Sequence, residues 1–104
     1  MISLVTQKRE GIAEHCRRLN VRRLDVFGSA ANGNFDEEKS DIDFLVEFGE
    51  EHEHLDLLER YLGLAESLEA LFAREVDLVT VDGIAKNPRF RANVEEEKEA
   101  VYAL

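Results

Sequence analysis

Two short motifs contain the residue types that could carry out chemistry. They are Gly28-Ser29 and Asp41-x-Asp43, and eleven residues separate them. Residues i and i+2 of a strand share one face with Cα atoms about 6.6 Å apart, so both carboxylates should point at one spot. Neighbouring carboxylates repel each other unless a cation lies between them. Mg²⁺ fits because one or two carboxylates, substrate phosphates and water typically bind it. Taken alone, Asp41-x-Asp43 has a second interpretation as the solvated start of a strand.

Gly28-Ser29 has the composition of a phosphate-binding turn. A phosphate can approach the backbone closely at a glycine because there is no Cβ, and Ser29 adds a hydroxyl donor. A helix N-terminus beyond the serine would add further N–H donors. The alternative is an ordinary turn glycine, which often follows a strand.

Asp77 is the third candidate, because it is an acid inside an otherwise apolar stretch, Val76-Asp77-Leu78-Val79. A buried acid needs a partner or a metal, and a place beside Asp43 in the sheet would provide one. In metal-assisted phosphoryl transfer, such a carboxylate can bind a second ion and accept the proton of an attacking hydroxyl. The alternative is an acid at the sheet edge that pairs with Arg74 or Lys86.

The elements that position these residues follow from hydrophobic periodicity. Residues 41–48 alternate, with Ile42, Phe44 and Val46 on one face, which is typical of a half-buried strand. Apolar steps of three and four predict helices, and short β-branched runs predict strands. The pattern predicts α-β-loop-β-α-β-α, an α/β domain with a three-stranded sheet: helices over about 4–19, 54–72 and 88–104, strands over 24–27, 41–48 and 76–81, and a loop over 30–40.

Length and composition exclude several classes of protein. A chain of 104 residues is the length of one domain, so we interpret residues 1–104 as a single domain. Its net charge of -10 repels phosphate backbones, so we expect no direct binding of nucleic acids. The single cysteine, Cys16, cannot form an internal disulfide and fits a helix core. Because no apolar run is long enough for a membrane span or a signal peptide, we expect a cytoplasmic protein.

Together, Gly28-Ser29, Asp41-x-Asp43 on a strand and Asp77 on a later strand resemble the nucleotidyltransferase superfamily that includes polymerase beta. The short chain and its order of elements are similar to the minimal nucleotidyltransferases, called MNT or MntA-like, which occur as antitoxins beside HEPN-domain toxins. The resemblance covers about residues 4–102.

The resemblance implies a fold, a set of site residues and a reaction. The fold is a small mixed sheet with helices packed around it. Asp41 and Asp43 would bind Mg²⁺, Asp77 would complete the acidic triad, and Gly28 and Ser29 would bind the triphosphate of ATP. The expected activity is transfer of AMP to a tyrosine hydroxyl of a partner HEPN toxin, which neutralises it. Both homo- and hetero-oligomers are compatible with the sequence.

Two other functions stay open. Family members commonly carry an arginine in the segment that matches residues 30–33, and this chain has Ala30, Ala31 and Asn32 there. This departure favours a weak or inactive antitoxin that acts by binding alone. A nucleotidyltransferase subunit that modifies a small molecule is disfavoured, because few residues remain to build an acceptor pocket.

Three further groups have structural and functional interpretations. His52 and His54 have a spacing that can bind zinc, although they lie at the acid-rich start of a predicted helix. The glutamates of residues 95–99 are interpreted as a solvated face, with contact to a basic partner as the alternative. Four arginines form a basic cluster: Arg17, Arg18, Arg22 and Arg23. This cluster could contact phosphates or a partner, or it could be an ordinary solvated surface.

Overall fold

The computed structural model describes residues 1–36, 38 and 40–104. Helices flank a mixed sheet that has four strands in this part of the chain. In chain order the elements are α1 (Ser3–Gln7), α2 (Arg9–Arg18), β1 (Val21–Phe27), α3 (Ser29–Asn32), β2 (Ile42–Phe48), α4 (Leu57–Phe72), β3 (Val76–Thr80), α5 (Val81–Ile84), α6 (Pro88–Glu97) and β4 (Glu99–Ala103).

The strands lie in the order β3-β2-β1-β4. β1 pairs antiparallel with both β2 and β4, and β3 pairs parallel with β2. A parallel pair needs a long crossover connection, and α4 supplies it. The mixed α/β fold is therefore confirmed, and so is the expectation that the third strand lies beside the second.

The fourth strand corrects the predicted helix over residues 88–104. Helix α6 ends at Glu97, and Lys98 then adopts an extended backbone with φ -63° and ψ 143°. The seven-residue step from Val94 to Val101 fits a helix, but Val101 reaches the core from a strand instead. Pairing with β1 provides the backbone hydrogen bonds of β4, and this long-range contact outweighs the local pattern.

Hydrophobic side chains are buried on both faces of the sheet. On one face, strand residues pack with α2 and α4, and the buried side chains there include Ile12, Cys16, Ile42, Phe44, Leu64 and Leu68. The opposite face carries a smaller cluster with α5 and α6, formed by Phe27, Leu45, Ile84 and Val94. Cys16 is fully buried, as predicted, and burial raises the pKa of its thiol to about 12.

Several predicted boundaries shift for local reasons. The first predicted helix is two helices, because Lys8 leaves helical geometry at φ -101° and ψ 10°. Helix α4 begins at Leu57 rather than residue 54, because Asp56 and Glu59 form a capping box there. The predicted loop over 30–40 begins inside α3, and two of its residues, Glu37 and Lys39, lie outside the described residues. No helix in the described ranges is long and apolar enough to cross a membrane.

Candidate active site

The sheet brings the two predicted motifs together at one end. Phe27, the last residue of β1, lies opposite Asp43 of β2, and Asp43 in turn lies opposite Asp77 of β3. Asp41 directly precedes β2. Asp43 is half-buried, whereas Asp41 and Asp77 are exposed. Asp43 therefore occupies the centre of the site, with Gly28 on one side of it and Asp77 on the other.

Gly28 allows the closest approach in the site. Its backbone has φ 66° and ψ -146°, a conformation that residues with a side chain rarely adopt. A Cβ added at this position would lie 2.5 Å from Oδ2 of Asp43. A glycine is thus needed here both for the turn and for the carboxylate beside it.

Ser29 begins α3 directly after this turn. The carbonyl oxygen of Gly28 accepts hydrogen bonds from the N–H groups of Ala31 and Asn32, each at 3.0 Å. The chain then leaves α3 through Gly33, which has φ 88°. Ser29 therefore lies at the same end of the sheet as Asp43.

The surroundings of Asp43 disfavour its charged form. Burial, followed by the charges of Asp77, Asp41 and Glu97 in that order, raises the pKa of Asp43 from 3.8 to about 6. Burial and neighbouring carboxylates therefore disfavour negative charge at this position, which is the electrostatic condition that a bound cation would relieve.

A preformed metal cage is absent from the part of the chain that the structure describes. No group of three or more His, Cys, Asp and Glu side chains there is arranged to hold a metal ion. Mg²⁺ does not require such a cage, because one or two carboxylates often bind it together with phosphates and water. The half-buried Asp43 and the neighbouring Asp41 fit this kind of site.

Glu97 is a site residue that the sequence prediction missed. It is the last residue of α6, and its Oε2 accepts a hydrogen bond of 3.2 Å from the Gly28 N–H. It is exposed, as expected for the face of residues 95–99, yet it adds a third carboxylate beside Asp43, after Asp41 and Asp77. Nothing in the acid-rich run of the sequence distinguishes it from the glutamates beside it.

Asp77 is not the buried acid that its apolar stretch of sequence predicted. Asp77 is exposed and, among the described residues, forms no ion pair with Arg74 or Lys86. Arg74 instead donates to the Ser40 carbonyl at 3.3 Å. The buried acid is Asp25 in β1, only 2% exposed, and Arg23 donates to both its carboxylate oxygens at 3.0 Å.

The two histidines form part of a hydrogen-bonded turn. Nδ1 of His52 accepts from the N–H groups of His54 and Leu55, and its Nε2 lies 3.1 Å from the Arg18 carbonyl oxygen. Both ring nitrogens of His52 thus already have partners in the protein. This turn leads into the capping box of α4.

Comparisons with known families, sequences and structures all point to nucleotidyltransferases. The nucleotidyltransferase domain family matches residues 9–101. A protein adenylyltransferase from Thermococcus cleftensis, MntA, is 39% identical over 88 residues, which cover 81% of each chain. A solved structure with the provisional description of a minimal nucleotidyltransferase has a TM-score of 0.71 at 36% identity, covering 90% of this chain and 89% of that chain.

A more distant solved structure shares the fold. It is the complex of a tri-AMPylated Shewanella oneidensis HEPN toxin with an MNT antitoxin, and the matched chain has a TM-score of 0.64 at 19% identity. The match covers 96% of this chain and 73% of that chain. With a family match that includes Gly28-Ser29, Asp41-x-Asp43 and Asp77, this chain belongs to the nucleotidyltransferase domain family.

Proposed function

We propose that this chain is a Mg²⁺-dependent protein adenylyltransferase that transfers AMP from ATP to a tyrosine hydroxyl of a HEPN-domain toxin and so neutralises the toxin. The observation that carries this proposal is the half-buried Asp43 carboxylate, packed against the Gly28 turn and flanked by Asp41 and Asp77. We further propose that residues 1–104 form one nucleotidyltransferase domain that acts in the cytoplasm.

The similar proteins support the choice of reaction and partner. The Thermococcus cleftensis relative carries the name of a protein adenylyltransferase, and the Shewanella oneidensis complex contains an AMPylated HEPN toxin. A protein acceptor also suits the size of this chain, because a partner can bring its own hydroxyl to an open site. The exposed Asp41 and Asp77 carboxylates are accessible to such a partner.

In the proposed site, Asp41 and Asp43 bind Mg²⁺, and Asp77 completes the acidic set. The ion would neutralise the phosphates and orient them for an in-line displacement. Among the described residues no cation forms an ion pair with Asp43, and burial and repulsion raise the pKa of this carboxylate, which supports a bound cation. The donor set is all oxygen, which Mg²⁺ prefers.

The protein's own residues have separate tasks in this reaction. The backbone at Gly28 and the hydroxyl of Ser29 bind the triphosphate, and the Asp77 carboxylate accepts the proton of the tyrosine hydroxyl. The tyrosine oxygen forms a bond to the α-phosphorus while the bond from that phosphorus to the bridging oxygen breaks. Pyrophosphate leaves, and AMP remains on the toxin.

Calorimetry tests the shared binding of metal and nucleotide. A chain with net charge -10 and clustered acids should reject bare ATP and bind its magnesium complex. We expect ATP to bind much more weakly in EDTA than with Mg²⁺. Equal ATP affinity under both conditions would remove the metal roles of Asp41 and Asp43.

A binding-only antitoxin is the second candidate, and the segment Ala30-Ala31-Asn32 favours it because it lacks a cation beside the phosphates. The two candidates differ in what the double variant Asp41→Asn plus Asp43→Asn does to the toxin. Loss of neutralisation with retained folding supports the enzyme, whereas full neutralisation at stoichiometric amounts supports binding alone. Asn32→Arg should raise transfer if the missing charge limits it.

A further inference from the structure

The carboxylate of Glu97 lies where an incoming phosphate would be expected. Its Oε2 accepts from the Gly28 N–H at 3.2 Å, and this amide belongs to the turn that we assign to the triphosphate. Among the described residues, this amide is the one hydrogen-bond donor to Glu97, and no cation pairs with it. The Glu97 carboxylate therefore already accepts a hydrogen bond from the amide that would otherwise be free to donate to a phosphate.

This position is electrostatically unfavourable for Glu97. It is the last residue of α6, where the helix dipole disfavours negative charge. Its carboxylate also lies near enough to Asp43 to raise the pKa of that group, so it adds to the repulsion within the site. Its neighbours Glu95 and Glu99 instead have cationic partners, Lys98 and the N-terminal amine. A role in stability alone does not account for this placement.

From this contact, we infer that Glu97 is a specificity-determining residue of the nucleotide site: it occupies the Gly28 amide in the free protein and must leave it when a triphosphate binds. The inference rests on the proposed function, since it takes Gly28 to be part of the phosphate site. Because Glu97 repels anions, it penalises bare ATP, which carries more negative charge, more strongly than the magnesium complex. Glu97 thus favours binding of the metal-loaded nucleotide.

The test measures binding of ATP by calorimetry, with Mg²⁺ and in EDTA, to wild type, Glu97→Gln, Glu97→Ala and Glu96→Gln. Glu97→Gln removes one charge and keeps the size of the side chain. Glu96→Gln is the matched control, because it removes the same charge from the adjacent exposed position of α6. Thermal denaturation of each variant checks that it is folded.

Removing one like charge at close range in a solvated site should tighten binding of the magnesium complex by about fivefold in both Glu97 variants. The increase in affinity for bare ATP in EDTA should be larger than this. The ratio of the affinity for magnesium ATP to the affinity for bare ATP should therefore be smaller in the Glu97 variants than in wild type. The control should change either affinity by less than about twofold, because its charge lies outside the site.

The possible failures are distinguishable. If wild type binds magnesium ATP and the Glu97 variants bind it no tighter, or more weakly, the inference is wrong while the proposed function stands. An equal gain in Glu96→Gln would also overturn the inference, because the effect would then be one of net charge. If neither wild type nor any variant binds magnesium ATP, the proposed function fails and the inference fails with it.

Discussion

Replacement of Gly28 by alanine should damage this protein far more than the same change at Gly33. Both glycines have positive φ, 66° and 88°, and they flank the same short helix, α3. They differ in what a new Cβ would meet. At Gly28 it would lie 2.5 Å from Oδ2 of Asp43, whereas at Gly33 nothing lies within 4 Å. The pair therefore separates backbone strain from contact with the site carboxylate.

The expected magnitude has two parts. Alanine in the backbone conformation of Gly28 costs about 1–3 kcal/mol of strain, and the conformation of Gly33 costs about 1 kcal/mol. The carboxylate of Asp43 must also move by about 0.9 Å to reach an ordinary contact distance, within a half-buried site. We expect a total loss of about 2–4 kcal/mol for Gly28→Ala, or about 10–20 °C in Tm for a chain of this size.

Urea denaturation of Gly28→Ala and Gly33→Ala, and of a double-mutant cycle that combines Gly28→Ala with Asp43→Ala, separates backbone strain from contact with Asp43. Asp43→Ala removes the oxygen that Gly28→Ala would meet. The double variant should therefore be more stable than the sum of the single losses predicts, by about 1 kcal/mol. Equal losses at Gly28 and Gly33, or additive losses in the cycle, would refute the close contact between Gly28 and Asp43.

Three further predictions concern charge and hydrogen bonding. Because burial and neighbouring carboxylates raise the pKa of Asp43 to about 6, the folded protein holds a proton that the unfolded chain releases. We therefore expect wild type to lose stability relative to Asp43→Asn as pH rises from about 4 to about 6, measured by urea denaturation in EDTA. A difference in the free energy of unfolding between the two proteins that does not change with pH would contradict this. Arg23→Met should destabilise by about 1–3 kcal/mol in urea denaturation, because it leaves the buried Asp25 carboxylate unpaired. Arg22→Met, at an exposed ion pair, should cost less than about 0.5 kcal/mol, and equal losses would count against the buried pair. Tyr61→Phe removes a hydrogen bond from α4 to a carbonyl oxygen of β3 and should cost about 0.5–1.5 kcal/mol in the same assay, so an unchanged midpoint would contradict that contact.

The central part of the fold could be predicted from local patterns. The alternation of residues 41–48 predicted β2, which spans Ile42–Phe48, to within one residue, because its apolar side chains face a buried core on one side. The motifs at Gly28 and Asp41-x-Asp43 could be placed together because both flank strands that turned out to be neighbours. Short motifs at strand ends thus identified the region of the site before its geometry was known.

The rest of the fold depended on contacts that are distant in sequence. β4 pairs with β1 across more than half of the chain, and the step from Val94 to Val101 fits a helix equally well. Asp25 shows the same limit for side chains. Like Asp77, it is an acid within an apolar strand, but only the packed structure shows that Asp25 is the buried one. Glu97 reaches the site because α6 folds back against the Gly28 turn.

Transfer of labelled AMP tests the central claim most directly. The wild-type chain is incubated with a HEPN-domain toxin, Mg²⁺ and ATP labelled at the α-phosphate, and the toxin is then analysed by intact-mass and peptide mass spectrometry. The account predicts AMP on a tyrosine of the toxin with wild type, and no label with the folded double variant Asp41→Asn plus Asp43→Asn. A wild-type chain that binds magnesium ATP and its toxin but leaves the toxin unlabelled would contradict it.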